Sequence, residues 1–474
     1  MSDDLRLIRK GNSQNMTKKA WEIEREMRVN AVPLDRRVHA SQWASHLDSV
    51  SQQDQVARFW KNRVPGSGAP DSLYVGMVQS MANKGYDMTA AEELLPIGMA
   101  LAEKKDLGEL RALTAELMER TFQALLNPHS VYRKFHHPSD WESVMAAMSP
   151  EVSKDPLKGG RENLDEKIYH GWLGQLAGGS FGSAMEGYTG EQLARVYGKI
   201  ESYITEPETT NDDVVYELAF LDAFEKKGRG ISSRDIALEW VQQIPYGYSA
   251  EWVALNNINN GIFPPQSGSF RNPYSDWIGA QMRGMVCGML APGWPIEAAR
   301  LAYIDAVISH SANGAYGEMY AAVLTALAFT SSDIQKMIKE GLNYLPQGSE
   351  YAAIVGEILE TLSRHADAAQ AWKALDERFK EYNWIHAYPN IAAVLLALWY
   401  GQGDMTYSFT LLAQAGLDVD CNGGLVGNIL GVMKPVPSQW AEPLGDLLET
   451  YIPGKEKLSI RQLATRTTDL PRRI

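Results

Sequence analysis

The sequence predicts an all-α protein: a large helical bundle with an additional helical region at its N-terminus. Three observations predict it. Apolar residues recur at helical spacing through most of the chain, and alternation of period two never lasts more than a few residues. No internal repeat of fixed period marks a solenoid. Of the 474 residues 45% are hydrophobic and 22% charged, a composition that can bury a sizeable core rather than stay disordered.

Residues 1–160 read as helical segments with polar joints. Pro65-Gly66-Ser67-Gly68-Ala69-Pro70 is a turn or linker. In the stretch 91–124, Leu94, Leu95, Met99, Leu101, Leu107, Leu110, Leu113 and Leu117 fall at helical spacing, and Asp106-Leu107-Gly108 interrupts them, so two helices are expected. Residues 149–162 are polar and contain Pro156 and Gly159-Gly160, which marks a domain boundary. An all-α domain is expected over 161–454, with Ala- and Leu-rich apolar runs at 218–224, 298–308, 319–329, 351–364 and 391–400. Residues 455–474 are polar and arginine-rich and read as a short tail on the surface.

The net charge of -13 leaves no basic field for a nucleic-acid phosphate backbone. Two cysteines, Cys287 and Cys421, are too few for a disulfide framework and match no zinc spacing, which points to a reducing compartment. Met1-Ser2-Asp3-Asp4 is followed by no apolar segment of the secretory kind, and the longest apolar stretch, 391–400, is too short to span a bilayer. A soluble cytoplasmic protein is the expectation.

Gly171, Gly174, Gly178 and Gly182 share one helical face. Each interior glycine costs about 1 kcal/mol relative to Ala, so such a face needs a compensating close approach, either of another helix or of a ligand. Glu186 would continue that face, pointing into whatever the face approaches or ending in solvent.

Two carboxylate pairs follow. Asn211-Asp212-Asp213 precedes an apolar helix; Thr210 or Asn211 suits an N-cap, and the aspartates suit the positive end of a helix dipole. Capping alone accounts for them, and cation binding is the alternative. Asp418-Val419-Asp420 lies between apolar runs and among glycines, with no Lys or Arg between His386 and Lys434. If buried, these carboxylates need a partner charge, and a hard cation such as Mg, Mn or Ca supplies one; an exposed Asp-Gly turn is the other reading.

These segments, in this order, resemble the ADP-ribosylglycohydrolase family: the glycine stripe ending in Glu186, Asn211-Asp212-Asp213, and Gly416-Leu417-Asp418-Val419-Asp420-Cys421-Asn422. Ser309-His310 with Asn313-Gly314 and Tyr316-Gly317-Glu318, Pro389-Asn390, Gly403-Asp404, Asn272-Pro273-Tyr274 and the segment from Ile278 to Arg283 add to the similarity, which covers about residues 165–435. The resemblance implies an all-α bundle with one or two Mg ions, Mn being possible, between the two Asp motifs. It implies Asn211, Asp212, Asp213, Asp418, Asp420 and Cys421 as metal ligands, and Glu186, Asp212 and Asp420 as catalytic residues. His310, Asn313, Gly314, Tyr316 and Asn422 would meet the substrate. Asn211 and Cys421 depart from the Thr or Ser usual at those positions, and a thiol is a poor Mg ligand.

The implied activity is metal-dependent hydrolysis of an N- or O-ribosidic bond in an ADP-ribosylated substrate. A small riboside or nucleoside-like metabolite is the alternative substrate, with the N-terminal region closing the pocket. A non-catalytic structural or binding protein is the third reading, and it predicts lost carboxylates; all five stand here.

Overall fold

Helix boundaries in the computed structural model, which describes residues 18–38 and 55–473, follow local side-chain chemistry. Helix α1 spans Ala20–Val29, α2 Leu73–Asn83, α3 Leu95–Lys104 and α4 Leu107–Gln123. Between α3 and α4, Lys105 takes a left-handed conformation and the Asp106 carboxylate accepts the Glu109 N–H, so the interruption at 106–108 does separate two helices. The chain is all-α. Among the described residues the strands amount to two short ladders, Asn62–Arg63 with Pro70–Asp71 and Leu448–Glu449 with Lys457–Leu458. None of the described helices is long and apolar enough to cross a membrane.

The core is built around α5, Leu164–Gly182, with α6, Asp212–Lys227, α7, Ser249–Asn259, α8, Asn313–Ala328, α9, Ala387–Gly401, and α10, Val419–Met433. The glycine face of α5 meets a second glycine face on α10. A Cβ on Gly174 would sit 2.1 Å from the Gly427 carbonyl oxygen, one on Gly178 1.9 Å from that of Gly423, and one on Gly182 2.1 Å from the Asp420 nitrogen. The reverse holds as well: a Cβ on Gly427 or Gly431 would lie 2.0 Å from the carbonyl oxygens of Gly174 or His170. Two backbones in direct contact offset the helix-propensity cost of these glycines. The close approach comes from another helix, and that helix begins at the second carboxylate pair. Glu186 does not extend the face. Helix α5 stops at Gly182, and the N–H groups of Met185 and Glu186 turn back onto the Gly182 carbonyl at 2.7 and 3.1 Å.

The N-terminal region shares a core with the main bundle. Val75, Val78, Leu95 and Leu110 cluster with Ala250, Val253, Tyr274 and Trp277. Gly76 admits the Trp277 ring, which would lie 2.8 Å from a Cβ there, and the Tyr274 hydroxyl donates to the Leu73 carbonyl at 2.9 Å.

The C-terminal segment departs from the expected surface tail. Its last part is a helix, α11, Ile460–Arg473, that buries Ile460, Leu463, Ala464 and Leu470. Trp172 of α5, wholly buried, donates its indole N–H to Thr467 Oγ1 at 3.0 Å, and Arg466 pairs with Asp222 and Glu225 at 2.6 and 2.5 Å. The arginines that gave the segment its polar composition alternate with a narrow apolar stripe of helical period, which composition does not register.

Two expectations follow from the packing. Gly178→Ala should destabilise the protein by about 1–3 kcal/mol in urea unfolding, despite the helix propensity of Ala, because its methyl meets backbone. Gly356→Ala, where nothing lies within 4 Å of a new Cβ, should be neutral or stabilising. Deleting residues 460–474 uncovers Trp172 and should lower the urea midpoint and redden its fluorescence; an unchanged midpoint would show that α11 is dispensable.

Candidate active site

The two carboxylate pairs sit at the N-termini of two core helices. Asn211, in extended conformation, caps α6: its Oδ1 accepts the Asp213 N–H at 2.7 Å, which places Asp212 and Asp213 in the first turn. Asp418 caps α10, its Oδ1 accepting the Cys421 N–H at 3.3 Å, with Asp420 in the first turn. Both pairs therefore lie at positive helix-dipole ends, where negative charge is favoured.

The Asp418 loop is held from two sides. Leu417 has φ +69°, uncommon for a residue with a branched side chain, and its backbone is locked to the turn after Glu186. Gly187 N–H donates to the Leu417 carbonyl at 2.8 Å, and Leu417 N–H to the Tyr188 carbonyl at 3.0 Å. On the other side Asn390 Oδ1 accepts the Asp418 N–H at 3.2 Å and the Asn422 amide at 2.8 Å. Asn390 in turn donates to the carbonyls of Trp384 and His386 at 2.7 and 2.9 Å.

The pairs also bridge each other. Asn211 Nδ2 donates to Asp420 Oδ2 at 3.3 Å, and the Cys421 thiol donates to Asp213 Oδ1 at 3.4 Å. The amide oxygen expected from Asn211 as a ligand is thus turned to its capping bond, and the Cys421 sulfur acts as a hydrogen-bond donor. Burial first, and then the Asp213 charge, push that thiol well above its ordinary value, so it stays neutral.

Five carboxylates converge here. Asp213, Asp418 and Asp420 are buried, and Asp212 and Glu186 are partly so. Desolvation, reinforced by the surrounding carboxylates, raises Glu186, Asp213 and Asp420 well above the usual range, and lifts Asp212 to about 7. Asp418 is raised too, by burial, with hydrogen bonds from Asp420 and Cys421 opposing it. Among the described residues no Lys, Arg or His forms an ion pair with any of the five. Asp420 Oδ1 and Glu186 Oε2 are buried without a hydrogen-bond partner. Ligand atoms of Asp418, Asp420 and Cys421 lie within 4.8 Å of one another. An uncompensated, oxygen-rich cluster of this kind fits a hard divalent cation.

Glu186, Asp212, Asp418 and Cys421 line a cavity with a water-accessible volume of about 70 Å³. Asp213 and Asp420 lie behind it. Glu251, which the sequence reading did not single out, lines the same cavity. Its carboxylate is held by the fully buried Arg283 at 2.8 Å, and Gly279 is what leaves it room, since a Cβ there would meet Glu251 Oε1 at 2.2 Å. Arg283 is itself fixed by Asp305 at 2.6 Å, by the Gly279 carbonyl and by Ser309 Oγ. A glutamate in the first turn of a helix reads as solvated; an arginine within the apolar context of 277–290 was the available signal of buried partners.

His310, Asn313, Gly314, Tyr316 and Asn422, expected at the substrate, do not line this cavity. His310 is wholly buried beside Glu251 (3.8 Å), its Nδ1 2.8 Å from Ser309 Oγ, and burial with the nearby Arg283 charge holds it well below its ordinary value. Asn313 Oδ1 accepts the Tyr351 N–H and its amide reaches Glu350; Tyr316 donates to the Pro138 carbonyl at 2.7 Å. Gly314 is required because a Cβ would lie 2.1 Å from the Ser275 carbonyl oxygen. His310, Asn313, Gly314 and Tyr316 pack around the start of α8, whereas Asn422, in α10, donates to Asn390 Oδ1.

Residues 160–472 match the sequence profile of ADP-ribosylglycohydrolases. A comparison with curated proteins found no match. Among solved structures the chain is similar to one described as an "ADP-ribosylglycohydrolase-related protein complex", with a TM-score of 0.47, 16% identity, and coverage of 66% of this chain and 99% of that one. The profile match extends over most of the chain and takes in both carboxylate pairs, Glu186 and the α5–α10 contact, and on that match the protein belongs to the ADP-ribosylglycohydrolase family, hydrolases of ADP-ribose-linked substrates.

Proposed function

We propose that this protein hydrolyses an N- or O-ribosidic bond of an ADP-ribosylated substrate with the help of one or two divalent cations, Mg or alternatively Mn. The observation that carries this reading is the convergence of five carboxylates from three chain segments, Glu186, Asp212 and Asp418 lining one cavity, with no basic partner among the described residues. Asp212, Asp213, Asp418 and Asp420 would hold the cation, which supplies charge neutralisation, a fixed orientation for the ribose diol and a more acidic bound water.

The remaining chemistry belongs to the chain. Hydrolysis breaks the bond from the anomeric carbon to its N or O substituent, adds the hydroxyl of water to that carbon and delivers a proton to the leaving atom. Glu186 lines the cavity next to Asp212 and Asp418 and has an oxygen with no hydrogen-bond partner, so it is the group to move that proton. Asn211 acts behind the carboxylates, orienting Asp420 through its amide while capping α6. Cys421 orients Asp213 as an S–H donor. A small riboside or nucleoside-like metabolite is a second reading, favoured by the limited room in the cavity.

Three outcomes are expected. In titration calorimetry the wild type binds Mg or Mn, and Asp420→Asn weakens that binding at least tenfold; equal binding by the variant would remove Asp420 from the site. Glu186→Gln should keep cation binding and lower kcat about 10²–10⁴-fold on a substrate the wild type turns over, the range general acid–base catalysis contributes. Full turnover by this variant would end its proton-transfer role. Assays of ADP-ribosylated peptides beside a nucleoside panel, with and without EDTA, decide between the two substrate readings: EDTA-sensitive turnover of nucleosides alone would overturn the first.

A further inference from the structure

The cavity has a wall from outside the matched family region. Asn62, Val64, Pro65, Asp71 and Leu73 line it together with Glu186, Asp212 and Asp418, whereas the family match begins at residue 160. These five belong to one hairpin and the residue that enters α2. Asn62 pairs with Asp71 and Arg63 with Pro70, and Val64 N–H closes the loop on the Ala69 carbonyl at 2.9 Å.

The hairpin is seated against the turn that carries Glu186. Ser67 and Ala69 are wholly buried. The Tyr188 hydroxyl donates to the Ser67 carbonyl at 3.4 Å. Gly187, at φ +79°, brings its backbone so near that a Cβ would lie 2.9 Å from Ala69 Cβ. The hairpin and the Glu186 turn therefore form one packed unit, and the hairpin's position is as fixed as that of the carboxylates.

Within this wall Asn62 differs from its neighbours. Asp71 already accepts the Ser72 N–H and a hydrogen bond from Trp384. The Asn62 side chain, in a residue only 5% exposed, has no hydrogen-bond partner among the described residues. Because Asn62 lines the cavity, its amide is open to whatever occupies that space, water or a bound group. Val64, Pro65 and Leu73 beside Asn62 are apolar, and Asp71, opposite it in the ladder, takes its hydrogen bonds from Ser72 and Trp384. With about 70 Å³ of water-accessible volume, space for roughly five waters, any sugar-sized group that reaches Asp212 and Asp418 also reaches the hairpin.

We infer that Asn62 is a substrate-recognition residue, supplied by the N-terminal region, whose amide hydrogen-bonds a hydroxyl-bearing group of a substrate held in the cavity it lines together with Glu186, Asp212 and Asp418. The inference rests on the ribosidic reading of the same site. It makes the N-terminal region part of the substrate pocket, and it gives specificity a source that the matched domain lacks.

The test uses the full chain with Mg present and ADP-ribose as the probe. Asn62→Ala and Asn62→Leu are compared with wild type for ADP-ribose Kd, Mg Kd and urea midpoint. The amide makes no bond within the described fold, so both variants should fold and bind Mg within twofold of wild type. Their ADP-ribose Kd should rise about tenfold, the loss of one such hydrogen bond. On any confirmed substrate KM should rise with kcat little changed. An ADP-ribose Kd within twofold of wild type in both folded variants overturns the inference. A wild type that binds Mg but not ADP-ribose is a different result: it overturns the ribosidic reading, and this inference with it.

Discussion

The contact between the glycine faces of α5 and α10 is the constraint on which the site depends. With side chains on either face the two backbones would stand apart, and the start of α10 would lie elsewhere. Gly182 touches the backbone of Asp420 itself, so the last turn of α5 and the first turn of α10 are positioned as one piece. From that joint the chain continues into the Glu186 turn on one side, and the Asp418 loop enters on the other. The hydrogen bonds between Gly187, Tyr188 and Leu417 close the arrangement. Rigid backbone, rather than flexible side-chain reach, sets where three of the five carboxylates stand.

The second organising fact is electrostatic. Two helix N-termini and one tight turn bring five carboxylates to a place where water is largely excluded. Burial and mutual repulsion both oppose their ionisation, and the helix dipoles, the Asn211 amide on Asp420 and the Cys421 N–H on Asp418 offset only part of that. A few ångströms away Glu251 and Arg283 show the other solution, a buried carboxylate with a buried cation built into the chain. Arg283 thus compensates Glu251 and Asp305 within the chain, while none of the other five has a basic partner among the described residues.

The Ser309-His310 and Asn313–Tyr316 residues pack into the Arg283 network and the start of α8 and lie outside the lining of the cavity. The N-terminal region contributes the hairpin wall and a shared core with α7, so its residues and those of the main bundle form one packed structure.

The sequence by itself determined what depends on neighbours within a turn or two. Helical periodicity, the break at Asp106, the glycine face and a cap at Thr210 or Asn211 are encoded locally, because i to i+4 contacts and N-cap bonds involve residues close in the chain. It also showed, through the lack of Lys or Arg near Asp418 and Asp420, that any partner charge must come from afar. The end of α5 at Gly182 and the docking of α11 were less legible, since a bend and a narrow apolar stripe leave little trace in composition. Only the tertiary structure decided that Glu251 comes near Asp212, that His310 is buried beside Arg283, and that Asn62 lines the same cavity as Asp418. Those residues are far apart in the chain, and helix packing alone brings them together or keeps them apart.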